Sequence, residues 1–249
     1  MIPEQTAVMT PVATESVALD DRFAATSADQ FNGAPSINHL ITEDDTPVDN
    51  LFSEKQQRLL TEPLYSTWRG GEQQRSFLAA ANVGLFASAD MPPLVPDVFL
   101  SMDVHIAEEW FERRHRTYFF WEFGKSPEVV IEIVSNRVGG ETTRKLEEYA
   151  RIGVDHYVIY DPTQLLSNHV LRVFERRWQR YTLVSQGWFP GIGLGLTLWE
   201  GVFENKQSVW LRWCDENGAP IPSGAERAAT AEAEVVQLRA ELDRLRNRS

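Results

Sequence analysis

The chain has 249 residues, of which 43% are hydrophobic, and carries a formal net charge of -12. At this length one fairly large domain with tails is expected, with two small domains as the alternative. A lone cysteine, Cys214, excludes an internal disulfide and a cysteine metal cluster, the acidic balance argues against a general nucleic-acid coat protein, and no apolar run has membrane-spanning length.

The first 48 residues are rich in Thr, Ala, Ser, Asp and Pro without sustained periodicity, and read as a disordered N-terminal segment. The opening residues lack the basic start and apolar run of a secretory signal, so a cytoplasmic protein is expected. A helix follows in "DNLFSEKQQRLLTEPLYSTW", with Ser53 as the expected N-cap, Gln56 in the capping-box position and an end near Pro63. "RSFLAAANVGLFAS" and "PDVFLSMDV" read as two strands joined by a turn around "ADMPPLVP". "AEEWFERRHRTYFFWEF" is ambiguous between packing on the core and closing over a cleft.

"SPEVVIEIVS" reads as the central strand, and "GGETTRKLEEYARIGV" as a helix of about three turns with Gly153 at its C-terminus. "DHYVIYDP" is a further apolar strand. One helix between two apolar strands predicts a parallel crossover, hence a mixed sheet flanked by helices. "HVLRVFERR" and "WQRYTLVSQ" alternate as a hairpin, and turns with short strands are expected to finish the domain at about residue 222.

Residues 223–249 differ. Ala228, Ala231, Val235, Leu238, Leu242 and Leu245 follow a heptad seam. The g residues Arg227, Glu234 and Glu241 oppose the following e residues Glu232, Arg239 and Arg246 in sign, which suits a parallel homodimer through residues 225–249. The alternative is a solvated helix lying on its own domain.

Glu132 interrupts the apolar strand "EVVIEIVS". A carboxylate inside a core must be paired, bound to a metal or protonated. A salt bridge with Arg144 or Lys145 is the plain structural reading. Two further residues point to chemistry. Asp97 begins another apolar strand, and Lys145 flanks the apolar stripe of the helix after Glu132, from which its ammonium can curl back. Two acids and a lysine at strand ends suit a hard divalent ion with a cationic helper.

The blocks "PDVFLS", "PEVVIEIVSN" and "RKLEEYARIGVDHYVIYDP" occur in that order, and with them the chain resembles the Uma-two family of restriction endonucleases within the PD-(D/E)XK nuclease superfamily. The resemblance spans about residues 75 to 200. It implies an α/β restriction-endonuclease-like core over residues 49–222, with Mg²⁺, replaceable by Mn²⁺, on Asp97, Glu132 and the Ile133 carbonyl. It also implies hydrolysis of DNA phosphodiester bonds. The superfamily's usual lysine, two residues after the glutamate, is Val134 here; Lys145 matches the helix lysine that takes its place in the family. A first-helix glutamate often joins such sites, which makes Glu54 and Glu62 candidates.

Arg113, Arg114 and Arg116, beside three acids, read as a solvated face rather than a phosphate contact. The aromatic run from Tyr118 to Trp121 reads as core, and the histidines show no zinc spacing. Tyr149, one turn after Lys145, is equally a site hydrogen-bonder or a half-buried core tyrosine. Against the endonuclease stand a catalytically inactive nuclease-fold module acting through its tail and a hydrolase of smaller phosphoesters.

Overall fold

The computed structural model describes residues 50–135 and 143–247, so the segment expected to be disordered over 1–48 lies outside the described residues. Helix α1 (Leu51–Pro63) starts at Asn50, whose side chain accepts from the Phe52 and Ser53 backbone N–H groups at 3.0 Å each. Those donors have no intrahelical partner, which is why an asparagine is favoured there. The cap is therefore Asn50 and not Ser53. Ser53 and Gln56 are buried inside the helix. The Gln56 amide donates to the Leu211 carbonyl at 2.7 Å and accepts from the Leu211 N–H at 3.0 Å.

The elements that follow are β1 (Phe77–Ala81), β2 (Leu85–Phe86), β3 (Val98–Met102), a 3₁₀ turn (Arg113–His115), β4 (Tyr118–Phe119), α2 (Phe120–Phe123), β5 (Val129–Ile133) and α3 (Arg144–Arg151). Next come β6 (His156–Tyr160), β7 (Leu171–Arg177), β8 (Arg180–Val184), β9 (Trp188–Phe189), β10 (Leu194–Phe203), β11 (Lys206–Cys214) and α4 (Gly224–Arg246). The main sheet has the order β1-β3-β5-β6-β7-β8. Its one parallel pair is β5 with β6, joined through α3, which is the crossover expected from the sequence.

Both faces of this sheet are covered, so every residue of β3 and β5 is buried. On one face Val98, Leu100, Val129, Ile131 and Val158 pack with Leu60 and Leu64 from the first helical segment and with Leu211 and Trp213 of β11. On the other, Phe99, Val130, Tyr157 and Ile159 pack with Tyr149 of α3. The first expected strand is split into β1 and β2, and β2 pairs in parallel with β4 rather than joining the main sheet.

The closing strands are longer than expected. β10 and β11 have 10 and 9 residues and form a hairpin in a second sheet. Their turn residues, Glu204 and Asn205, both have positive φ, 45° and 64°. Such a turn matches the twist of the strands it joins. α3 is eight residues long, with Gly153 at φ +91° just past its end; the expected start of this helix falls on residues 136–142, outside the described residues.

α4 begins with a capping box. The Glu226 N–H donates to Ser223 Oγ at 3.2 Å and the Ser223 N–H donates to Glu226 Oε2 at 2.7 Å. From Arg227 onward every described residue of the helix is exposed, so it does not lie along its own domain. No helix among the described residues is long and apolar enough to cross a membrane.

Candidate active site

Strand register builds the site. β3 and β5 are antiparallel, with Val98 opposite Ile131 and Phe99 opposite Val130. One step beyond the pairing, Asp97 comes opposite Glu132. Both sit on the face shared by Phe99 and Val130, which α3 covers, because side chains two residues apart point the same way. Asp97 is half-buried and Glu132 is only 2% exposed.

Glu132 is paired on both oxygens. Lys145 Nζ donates to Oε2 and Tyr149 OH donates to Oε1, each at 2.8 Å. The two donors are four residues apart on α3 and therefore share one helix face. Of the two cations considered, Lys145 makes the bridge; Arg144 is exposed and pairs with Glu148 at 3.3 Å. An ammonium and a phenol thus meet the cost of burying this carboxylate. Burial, then the neighbouring Glu132 charge, hold the Tyr149 phenol well above its ordinary pKa, so it remains a hydrogen-bond donor.

Asp97 is oriented separately. Its Oδ2 accepts from the Ile133 N–H at 2.6 Å and its Oδ1 from Gln57 Nε2 at 3.4 Å. The Gln57 amide also donates to Asn82 Oδ1 at 3.3 Å, and Asn82 Nδ2 donates back to Gln57 Oε1 at 3.1 Å. The first helix therefore delivers an amide to the acids, not a glutamate. Glu54 instead pairs with Arg58 at 2.7 Å, and Glu62 accepts from the Gly224 N–H at 3.0 Å. Both candidates are corrected on that ground. Gln57 carries no charge to mark it in the sequence; its signal there is a polar residue on the buried stripe of α1.

The donor set suits a hard cation. The N–H and carbonyl of one residue leave an extended strand on the same side. Ile133 therefore turns its carbonyl toward the side where its N–H meets Asp97. Continuing the register puts Pro96, which has no N–H, opposite Ile133. Two carboxylates against one ammonium leave one excess negative charge, and all three candidate ligands are oxygens, the kind Mg²⁺ and Mn²⁺ prefer. Among the described residues no group of three or more His, Cys, Asp and Glu side chains converges.

The basic run is an exposed turn in which Arg114 pairs with Glu112 at 2.9 Å and Arg116 Nε donates to the Phe111 carbonyl at 2.8 Å. Tyr118 and Phe119 are buried, and Tyr118 stacks on Phe123 at 4.3 Å between ring centroids. The solvated-face and core readings of these two stretches describe what is observed.

The family model described as "Putative restriction endonuclease", Uma2, matches residues 43–200. The chain belongs to this family. The matched span runs from just before α1 into β10. It includes the whole six-stranded sheet together with Asp97, Glu132, Ile133, Lys145, Tyr149 and Gln57, and it ends before α4. A large mixed sheet with flanking helices is the restriction-endonuclease-like architecture that Uma2 membership implies. None of the curated proteins matches the chain.

Proposed function

We propose that the protein is a metal-dependent endonuclease that hydrolyses DNA phosphodiester bonds. The observation that carries this reading is the convergence of Asp97 and Glu132 from adjacent strands with Lys145 donating to Glu132 at 2.8 Å. Asp97, Glu132 and the Ile133 carbonyl would hold Mg²⁺, with Mn²⁺ able to substitute. When bound, such an ion supplies Lewis acidity toward the phosphate oxygens.

The chain's own residues supply the remainder. Tyr149 and Lys145 fix the direction of the Glu132 carboxylate, and Gln57 with the Ile133 N–H fixes that of Asp97. The Lys145 ammonium lies beside the acids, and its three N–H groups carry a fixed positive charge there. They can orient the attacking water or bind the phosphate oxygens as charge builds in an in-line displacement. A DNA substrate fits a cytoplasmic protein. The net charge of -12 requires that DNA be gripped locally rather than by a broad basic surface.

One observation favours a second reading. The Lys145–Glu132 bridge satisfies the buried carboxylate without an ion, as a non-catalytic nuclease-fold module would require. Calorimetric titration with Mn²⁺, wild type against Glu132→Gln, separates the two. The endonuclease reading expects binding that the substitution removes, together with plasmid nicking in Mn²⁺ that Asp97→Asn abolishes. An intact protein that takes up no divalent ion leaves only the module.

A further inference from the structure

The observations at α4 point to a second copy of this chain. The helix is mounted firmly. Arg212 of β11, itself buried, donates to both oxygens of Glu226 at 2.9 and 2.6 Å and to the Ile221 carbonyl at 2.8 Å. Its guanidinium lies 4.6 Å from the Trp199 ring centroid. Glu62 accepts from the Gly224 N–H, and Arg227 donates to the Ser66 carbonyl. Together with the Ser223 capping box, these contacts fix the direction in which the helix leaves the domain.

Beyond this mount the heptad seam faces solvent. Val235, Leu238, Leu242 and Leu245 are 44%, 60%, 54% and 54% exposed, and they lie on one side of the helix. Apolar residues repeated at a and d over three heptads are a pattern for another helix, not for water. We propose that α4 forms a parallel two-stranded coiled coil with α4 of a second copy of this chain.

Charge selects both the partner and the direction. In a parallel pair, Glu234 meets Arg239 and Glu241 meets Arg246 of the other copy, and every such contact is attractive. In an antiparallel pair, g faces g and e faces e. Glu234 then meets its own equivalent and Arg239 meets its own equivalent, both repulsive, beside the attractive pairs Arg227–Glu241 and Glu232–Arg246, so only the parallel pair is free of repulsive contacts. The seam is graded along its length. Its first layers are Ala228 and Ala231, and Arg227 is engaged on its own domain, so the holding layers are the distal Val and Leu positions. The family match ends before α4, so the pairing lies outside the matched core.

The test is sedimentation of the full chain at micromolar concentration. The wild type is expected to be a dimer, and Leu238→Asp with Leu242→Asp a monomer with an unchanged domain fold by near-ultraviolet circular dichroism. The pair Glu234→Arg and Glu241→Arg is expected to weaken association about tenfold or more. Adding Arg239→Glu and Arg246→Glu makes every g basic and every e acidic, which restores a parallel pair and forbids an antiparallel one. A monomeric wild type, a dimer unaffected by the aspartates, or a fourfold charge variant that does not reassociate would overturn the proposal. None of these readouts depends on nuclease activity, so the proposal and the endonuclease reading fail separately.

Discussion

Asp97 lies one residue before β3 and directly across the sheet from Glu132 in β5. A core does not place two acids side by side without a cation, and Lys145 supplies only one charge. If a divalent ion supplies the rest, removing either charge removes the ion. Asp97→Asn and Glu132→Gln are nearly isosteric, so they test charge rather than packing. Each is expected to abolish calorimetric Mn²⁺ binding and to lower plasmid nicking by roughly two to three orders of magnitude, with the fold retained.

The same arrangement should be poorly optimised for stability. Lys145→Met leaves the Glu132 carboxylate, whose side chain is 3% exposed, without its ammonium and with Tyr149 still donating to it. Breaking a buried pair from one side costs about 3–5 kcal/mol; with the lysine side chain 21% exposed to water, the lower part of that range is expected. Replacing both partners, Glu132→Leu with Lys145→Met, is expected to recover most of this loss or exceed the wild type, while nicking is lost. Urea unfolding of the three variants provides the comparison. A double variant as unstable as the single one would show that the pair is retained for folding.

Gln57 offers a test by gain. Its amide reaches Asp97 Oδ1 at 3.4 Å from α1. Gln57→Glu puts a third carboxylate at the site with almost no change in shape. Like charges so close disfavour the ionised state, so the ion-free protein is expected to lose about 1 kcal/mol in urea unfolding, of the order of one pKa unit. Divalent affinity is expected to rise by about tenfold, since a hard ion gains an anionic oxygen. Unchanged affinity would show that Gln57 lies outside the reach of the ion.

Much of this site was legible in the sequence because it depends on short-range periodicity. The apolar runs of β3, β5 and β6 define strands, the intervening helix requires a parallel crossover, and a charge inside an apolar run stands out at Glu132. Lys145 was recoverable because one helical turn fixes its direction. What the sequence hid was decided by contacts between distant segments. Asn50 displaces Ser53 as the cap because Ser53 is taken into the core under α1. The Glu62 carboxylate is drawn to the start of α4, 162 residues away. Tyr149, evenly balanced between core and site, is both: it is fully buried and its hydroxyl is on Glu132. The long β10–β11 hairpin was obscured by its glycines and by a turn, Glu204-Asn205, that carries no glycine at all.

The mount of α4 has a pH dependence of definite sign. Burial alone would raise the Glu226 carboxyl, but its hydrogen bonds from Arg212 and from the Ser223 backbone N–H outweigh burial and hold it below its ordinary value. Its folded pKa is thus below its unfolded one. Stabilisation from this group is complete above the ordinary glutamate range and is lost as the pH falls through the depressed folded value. The mount is therefore expected to be intact at about pH 5, above the ordinary glutamate pKa, and to loosen only in stronger acid. Hydrogen exchange of the first turn of α4, followed against pH, reads this directly. In Glu226→Gln, which keeps the shape without the charge, that acid step should disappear and the turn should exchange faster at neutral pH. A wild-type transition centred at or above the ordinary glutamate pKa would show that Arg212 does not control the mount.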